Sequence, residues 1–302
     1  MMEMLNARAK GVRRRYDRIF TKAKEVAWMT ADLAHFRRRA TVGSELAANA
    51  RLRIPKDKGY VRFDASGFGG TQNIVAAGRA IHQRWIENPV ETNATKSYFH
   101  SISNGDDLEK YPAIMEFALN RDLLSTLSDY YSFVPELCSV GLMLSTPAEK
   151  ISGSQHGHFD TKDSKHIKVV IAVEDIHDEN GPFEFIAADS SNVVREKSNG
   201  RWSYSGRFKD QSLFKVIPHS AFLKMTAAAG AGLIVDTSNC LHFGSRVERG
   251  FRLMWFLHYA TFSEYDKMEV TQNGSQLMAH FANKAKFVTN ELTQLVLNVR
   301  KN

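Results

Sequence analysis

Cysteine is scarce in this 302-residue chain: there are two, Cys138 and Cys240. They do not have the spacing of a zinc or iron–sulfur site, and two are too few for a disulfide framework. Both are expected to be buried packing residues in a reducing compartment. No uninterrupted apolar run reaches the eighteen or so residues that a membrane-spanning helix needs. The first apolar residues are broken at once by Asn6, Arg8 and Lys10, so no secretory leader is expected and the expected location is the cytoplasm. Proline is also sparse, with seven in all and none before Pro55, which leaves the first fifty residues open to helix. Internal repeats and low-complexity tracts are absent. An apolar share of 43% suits a globular protein with a sizeable core.

The net charge of +7 is unevenly placed. Residues 1–55 carry thirteen Lys and Arg against five Asp and Glu, a net +8, so the remaining 247 residues sum to −1. The basic character is concentrated in two triplets, Arg13–Arg15 and Arg37–Arg39. Such runs can attract nucleic-acid phosphates or an anionic membrane surface. No aromatic stacking platform is interleaved with them, so a solvated helix face is the favoured reading and nucleic acid is not the expected partner. Peripheral membrane contact through this basic segment remains an open alternative.

Three zones follow from periodicity. Residues 1–55 form a basic helical extension, with Tyr16, Ile19, Phe20, Ala23, Val26 and Ala27 recurring at helical spacing. Residues 56–265 form the main domain, in which 74–86 and 108–129 read as helices and strands take over after Pro135. Residues 266–302 end in a helix that packs on the core, with Leu277, Phe281, Val288, Leu292 and Leu295 on one side.

The strand-rich part holds the polar residues of interest. "HIKVVIAVEDI" (166–176) is apolar and β-branched, "DENG" turns the chain and "PFEFIA" continues it, so Asn180-Gly181 reads as a hairpin turn. "GAGLIVDTSNCLHFG" is a short strand, then a polar turn at Asp236–Asn239, then His242. "FRLMWFLHYA" (251–260) is a further strand, with Arg252, Met254, Phe256 and His258 on one face and Phe251, Leu253, Trp255 and Leu257 on the other. Both faces are largely apolar, so both should be covered, and an arginine on the inner face would need an anion.

In "SQHGHFDTKD" (154–163), His156, His158 and Asp160 are spaced by two, so an extended backbone would put all three on one face. With eleven His and sixteen Asp in the chain, a lone His-x-Asp means little. Its order relative to the rest gives it weight: a turn follows, then His242 after 82 residues, then Arg252 ten residues on. Two histidines and one carboxylate suit non-haem Fe(II), which keeps open positions on one side of the ion. An arginine nearby suits a carboxylate contact. A cupin-type site would instead use His156 and His158 with a glutamate a few residues on, but Asp163 stands there. His166, His177 and His219 have no partners at useful spacing. Arg246 and Arg249 fall in the turn "SRVERG", where solvated roles are the default, and Asp236 reads as a turn cap.

The segment from about 150 to 260 resembles the phytanoyl-CoA dioxygenase-like branch of the Fe(II)/2-oxoglutarate-dependent oxygenases. The residues that carry the resemblance are "SQHGHFDTKD", "EDIHDENGPFEFI", "GLIVDTSNCLHFGSR" and "RGFRLMWF". It implies a double-stranded β-helix, a jelly-roll barrel that is mainly β with flanking N- and C-terminal helices. It implies His158, Asp160 and His242 as iron ligands and Arg252 as the contact for the far carboxylate of 2-oxoglutarate. Fe(II), 2-oxoglutarate and O2 are then the expected cofactor and co-substrates. The implied reaction is hydroxylation, or another oxidation, of a C–H bond in a small molecule, in bacterial small-molecule or surface-glycan biosynthesis. Gln155 and His156 are the candidate substrate-side residues, although His156 also fits a hydrogen-bonded rim position. Many members carry Pro-Gly-Ser-His after the Gly-Pro turn, where this chain has "AADSS". Two other classes stay open: a nucleic-acid-directed oxygenase or binder using the basic N-terminus, and a jelly-roll binding module with an inactive metal site.

Overall fold

The computed structural model of the chain describes residues 22–23, 25–88, 97–160, 163–197, 207–244, 246–262 and 284–299. Among the described residues, nine strands form two antiparallel sheets. The large sheet has the order β1 (Tyr60–Phe63), β7 (Gly232–Asp236), β4 (His166–Ala172), β9 (Arg252–Ala260), β3 (Glu136–Ser145), β2 (Phe99–Ser101). The small sheet has the order β6 (Leu223–Lys224), β5 (Glu184–Phe185), β8 (His242–Phe243). Together they make the double-stranded β-helix that the sequence resemblance implies.

Alternation along the strands separates two cores. Val169 and Ile171 of β4, Ile234 of β7 and Leu253, Trp255, Leu257 and Tyr259 of β9 face outward, into a core shared with the helices. Val170 and Ala172, Leu233 and Val235, and Met254 and Phe256 face inward, where they meet Phe183 and Phe185 of the small sheet. Both faces of β4, β7 and β9 are covered, which for β9 is what the apolar residues on both its faces required. The inner face of β9 also carries Arg252, and that of β4 carries His166 and Lys168.

The outer face is roofed by α2 (Thr71–Glu87), α4 (Ala113–Ala118) and α5 (Arg121–Tyr131). The helix expected over 108–129 is in fact three. Between α3 (Gly105–Lys110) and α4 stands Pro112, which biases Tyr111 away from helical angles. Between α4 and α5, Asn120 turns its side chain onto the amides of Asp122 and Leu123 and starts a new helix.

The expected hairpin at Asn180-Gly181 is not one. The chain does turn there, with Gly181 at a φ of 64°, but β4 pairs with β7 and β9 whereas β5 pairs with β6 and β8. The turn carries the chain from the large sheet to the small one. A Cβ on Gly181 would lie 2.4 Å from the carbonyl carbon of Arg246, so both the left-handed backbone and the close approach require glycine.

The N-terminal helix α1 (Leu33–Ala47) packs on the body rather than presenting a solvated basic back. Arg39 is fully buried: it pairs with Glu136 at 3.0 Å and donates to the carbonyls of Val134 and Thr261. Arg38 forks onto Glu291 at the start of α6 (Glu291–Val296). Leu46 of α1 and Leu295, Val296 and Leu297 join the helix-side core. Arg13–Arg15, Tyr16, Ile19, Phe20, Leu277 and Phe281 lie outside the described residues. No helix among the described residues is long and apolar enough to cross a membrane.

Candidate metal centre

Two short backbone pairings build the site. The His158 N–H donates to the His242 carbonyl at 2.9 Å and the His242 N–H donates back at 3.1 Å, an antiparallel bridge that puts the two imidazoles side by side, centroids 4.3 Å apart. Two residues on, the Asp160 N–H donates to the Thr237 carbonyl, so the carboxylate comes off the same extended segment beside them. One ligand atom from each of His158, Asp160 and His242 fits within 4.8 Å of the others.

Each imidazole has one nitrogen assigned by the backbone. Nδ1 of His158 lies 2.9 Å from the His156 carbonyl, and Nδ1 of His242 lies 3.0 Å from the Cys240 carbonyl. A carbonyl only accepts, so each Nδ1 carries the proton and each Nε2 offers a lone pair. Nε2 of His242 is buried, 3.8 Å from Asp160 Oδ2, and has no hydrogen-bond partner among the described residues. A buried nitrogen in that state is costly unless something binds it. Phe183 stacks on the His242 ring at 5.2 Å and fixes its plane.

The charges suit a divalent ion. Burial holds the His158 imidazole down to about 4. Burial, then the neighbouring His158 and Lys168, drive His242 well below its ordinary range. Burial alone would push the Asp160 carboxyl up, but Lys168 first, and then His242, His166 and His158, hold it well below the usual carboxylate range. At neutral pH the trio is two neutral imidazoles and one carboxylate, so no proton needs to leave before a metal binds. Two nitrogens and one oxygen, with no fourth protein ligand among the described residues, match the donor set of non-haem Fe(II).

Arg252 opens β9 with its side chain buried inside the barrel. It donates to the Gly181 carbonyl at 2.6 Å and to Ser145 Oγ at 3.1 Å. Burial pushes its guanidinium down to about 9. It lies against Gly244, two residues past His242, where an added Cβ would sit 3.2 Å from Nη1. The guanidinium is thereby set on the small-sheet side of the barrel beside β8.

The other candidates divide. His156 lies outside the three-residue cluster; its charged neighbours are Asp210, Arg246, Lys209 and Arg207, and burial lowers its basicity. Gln155 is buried, and its side chain accepts from the Ser152 N–H, closing a tight turn before the motif. Arg246 is not solvated as expected: it clamps the Gln155 carbonyl and Asp210 and lies 3.8 Å over the Phe243 ring. Arg249 is exposed and pairs with Glu179. His219 pairs with Glu184. Asp236 caps its turn, accepting from Ser238, Asn239 and Tyr130. Both cysteines are buried.

Three residues near the centre were missed from sequence. Nδ1 of His166 lies 3.8 Å from Asp160 Oδ2, Lys168 Nζ lies 2.7 Å from that oxygen, and His258 stands opposite Lys168 on β9, its ring 5.3 Å from that of His166. The available signal was the period-two alternation of "HIKVVIAV", which sends His166 and Lys168 to the inner face with Val170.

No protein-family profile matches the chain, and no curated protein matches it. Among solved structures, the chain is similar to the non-heme alpha ketoglutarate dependent epimerase SnoN from nogalamycin biosynthesis (14% identity, TM-score 0.47, covering 73% of this chain and 83% of that one). It is similar to HygX from Streptomyces hygroscopicus with nickel and 2-oxoglutarate bound (15% identity, TM-score 0.48, 70% and 90%). It is also similar to EctD from S. alaskensis in its apoform (15% identity, TM-score 0.45, 68% and 73%).

Proposed function

We propose that this protein is an Fe(II)- and 2-oxoglutarate-dependent oxygenase that oxidises a C–H bond of a small molecule. The observation that carries the reading is the His158–Asp160–His242 cluster, with its buried, unpartnered His242 Nε2 and with both Nδ1 protons held by carbonyls. With iron, 2-oxoglutarate and dioxygen bound, such a centre supplies oxidative decarboxylation of the keto acid to succinate and CO2, coupled to oxidation of the second substrate.

The chain's own residues have separate tasks in this account. His158 and His242 would offer Nε2 and Asp160 a carboxylate oxygen to the ion. The carbonyls of His156 and Cys240 fix the tautomers and ring directions, the kind of outer-shell support that tunes a metal site. Arg252, charged and desolvated, takes the far carboxylate of 2-oxoglutarate as a two-pronged contact. The apolar inner face, with Met254, Phe256, Phe183 and Phe185, excludes water. Gln155 and His156 stand on the turn before the ligands and are the candidate substrate-side residues. Because Asp160 supplies the carboxylate, hydroxylation is favoured over halogenation.

The nucleic-acid reading loses support from α1, where Arg38 and Arg39 are engaged by Glu291 and Glu136. The test of the proposed activity is succinate formation from 2-oxoglutarate by purified protein. It should require added Fe(II) and be abolished by Asp160→Ala and His242→Ala; equal succinate from these variants would refute it.

A further inference from the structure

Lys168 has no part in the site as assigned so far. It is a cation placed on the inner face of a buried strand. Its ammonium lies 2.7 Å from Asp160 Oδ2, and its side chain is 13% exposed. The same oxygen is the one 3.8 Å from His242 Nε2, so it is the oxygen turned toward the candidate ion. A divalent ion held by that trio would share this oxygen with the ammonium. Two like charges would then be separated by little more than one atom, in a cavity of low dielectric. A flexible four-carbon stem lets the ammonium leave.

Among the described residues, the strands on either side of it offer no carboxylate on the inner face. The inner-face neighbours on its own strand are His166 and Val170, and the residue opposite it on β9 is His258. The inner-face positions of β7 and the rest of β9 are Leu233, Val235, Ala260, Phe256, Met254 and Arg252. None is a carboxylate. Arg252, assigned to 2-oxoglutarate, is six positions along β9 from His258, about 20 Å of strand. The two side chains therefore rise from opposite ends of the inner face.

We propose that Lys168 anchors an anionic group, a carboxylate or a phosphate, on the molecule oxidised here: metal entry displaces its ammonium from Asp160, and that group becomes its new partner. The proposal rests on the iron-site reading and adds a substrate class to it.

The test uses the full-length protein and the variants Lys168→Met, Lys168→Arg and Asp160→Asn. Cobalt(II) binding is followed first, by its visible absorption and without turnover. Lys168→Met should bind cobalt about tenfold more tightly than wild type, the worth of one charge-assisted contact no longer displaced. Lys168→Arg, which keeps the charge, should not show this gain. Cobalt affinity in Lys168→Met that is equal to wild type or weaker would overturn the proposal, because Lys168 would then be steadying Asp160 instead of competing for it. Asp160→Asn and wild type binding cobalt alike would instead overturn the metal site itself.

Second, protein loaded with cobalt and 2-oxoglutarate is titrated with acetate and with inorganic phosphate. Wild type should saturate with one of them, which distinguishes the two chemistries, and Lys168→Met should need at least tenfold more. Equal response in wild type and Lys168→Met would overturn the proposal. So would a loss in Lys168→Met confined to 2-oxoglutarate affinity, which would assign Lys168 to the co-substrate's own carboxylate.

Discussion

His158 and His242 come from segments more than eighty residues apart, yet each donates its backbone N–H to the other's carbonyl. The bridge joins the start of the His-x-Asp motif to the small sheet, so the candidate metal trio is assembled by backbone pairing rather than by side-chain packing alone. Ring spacing and ligand direction follow from that pairing and from the two carbonyls that hold the Nδ1 protons.

Replacing either imidazole should remove the metal. His242→Ala or His158→Ala is expected to weaken Fe(II) or Co(II) binding by more than the roughly 10- to 100-fold that loss of an outer-shell partner costs. Calorimetric metal titration of protein with unchanged circular dichroism checks this.

Arg252→Ala should leave metal affinity nearly unchanged and weaken 2-oxoglutarate binding by about 2–3 kcal/mol, roughly 30- to 150-fold in Kd, for loss of a buried charged contact. Gly244→Ala should act in the same direction with a smaller effect, since its Cβ would press within 3.2 Å of the guanidinium. Titration of metal-loaded protein with 2-oxoglutarate measures both.

The N-terminal helix should contribute strongly to stability. Arg39→Ala leaves Glu136 buried beside the carbonyls that the arginine had satisfied. A loss of about 3–5 kcal/mol is expected for one broken half of a buried pair. Urea denaturation followed by tryptophan fluorescence reads it.

Stability should fall between acid and neutral pH through Asp163. Burial first, then its hydrogen bond with Glu25, raise this carboxyl to about 7. A folded-state value above the unfolded one means the native state holds the extra proton. The contribution is therefore complete below about 4 and is lost as pH rises through about 7. Asp163→Asn should flatten that part of the stability–pH curve relative to wild type; parallel curves would contradict the assignment.

Much of the site was legible because its chemistry is written in short segments. Asp160 follows His158 by two residues, and His242 and Arg252 are ordered on either side of a tight turn. The two-sided burial of β9 was legible for the same reason, since alternation is local. What escaped the sequence depends on pairing at a distance. Asn180-Gly181 carries an ordinary hairpin signal, but which strands flank such a turn in space depends on which sheet each one joins. Arg39 reads as one member of a basic triplet until Glu136 and the Val134 carbonyl are brought to it by the packing of α1 on β3. Lys168 and His166 escaped because, although alternation along "HIKVVIAV" sends both to one face, their nearness to Asp160 arises only in the folded chain. Pro112 and Asn120 were local signals that divide the 108–129 helix.

The most direct test is anaerobic titration of the purified protein with Fe(II) and then 2-oxoglutarate, watching for the visible metal-to-ligand charge-transfer band of the chelated keto acid. The account predicts a saturable band in wild type, none in Asp160→Ala, and in Arg252→Ala a band that needs far more 2-oxoglutarate. A wild-type protein that shows no band, or an Asp160→Ala variant that shows the same one, would contradict it.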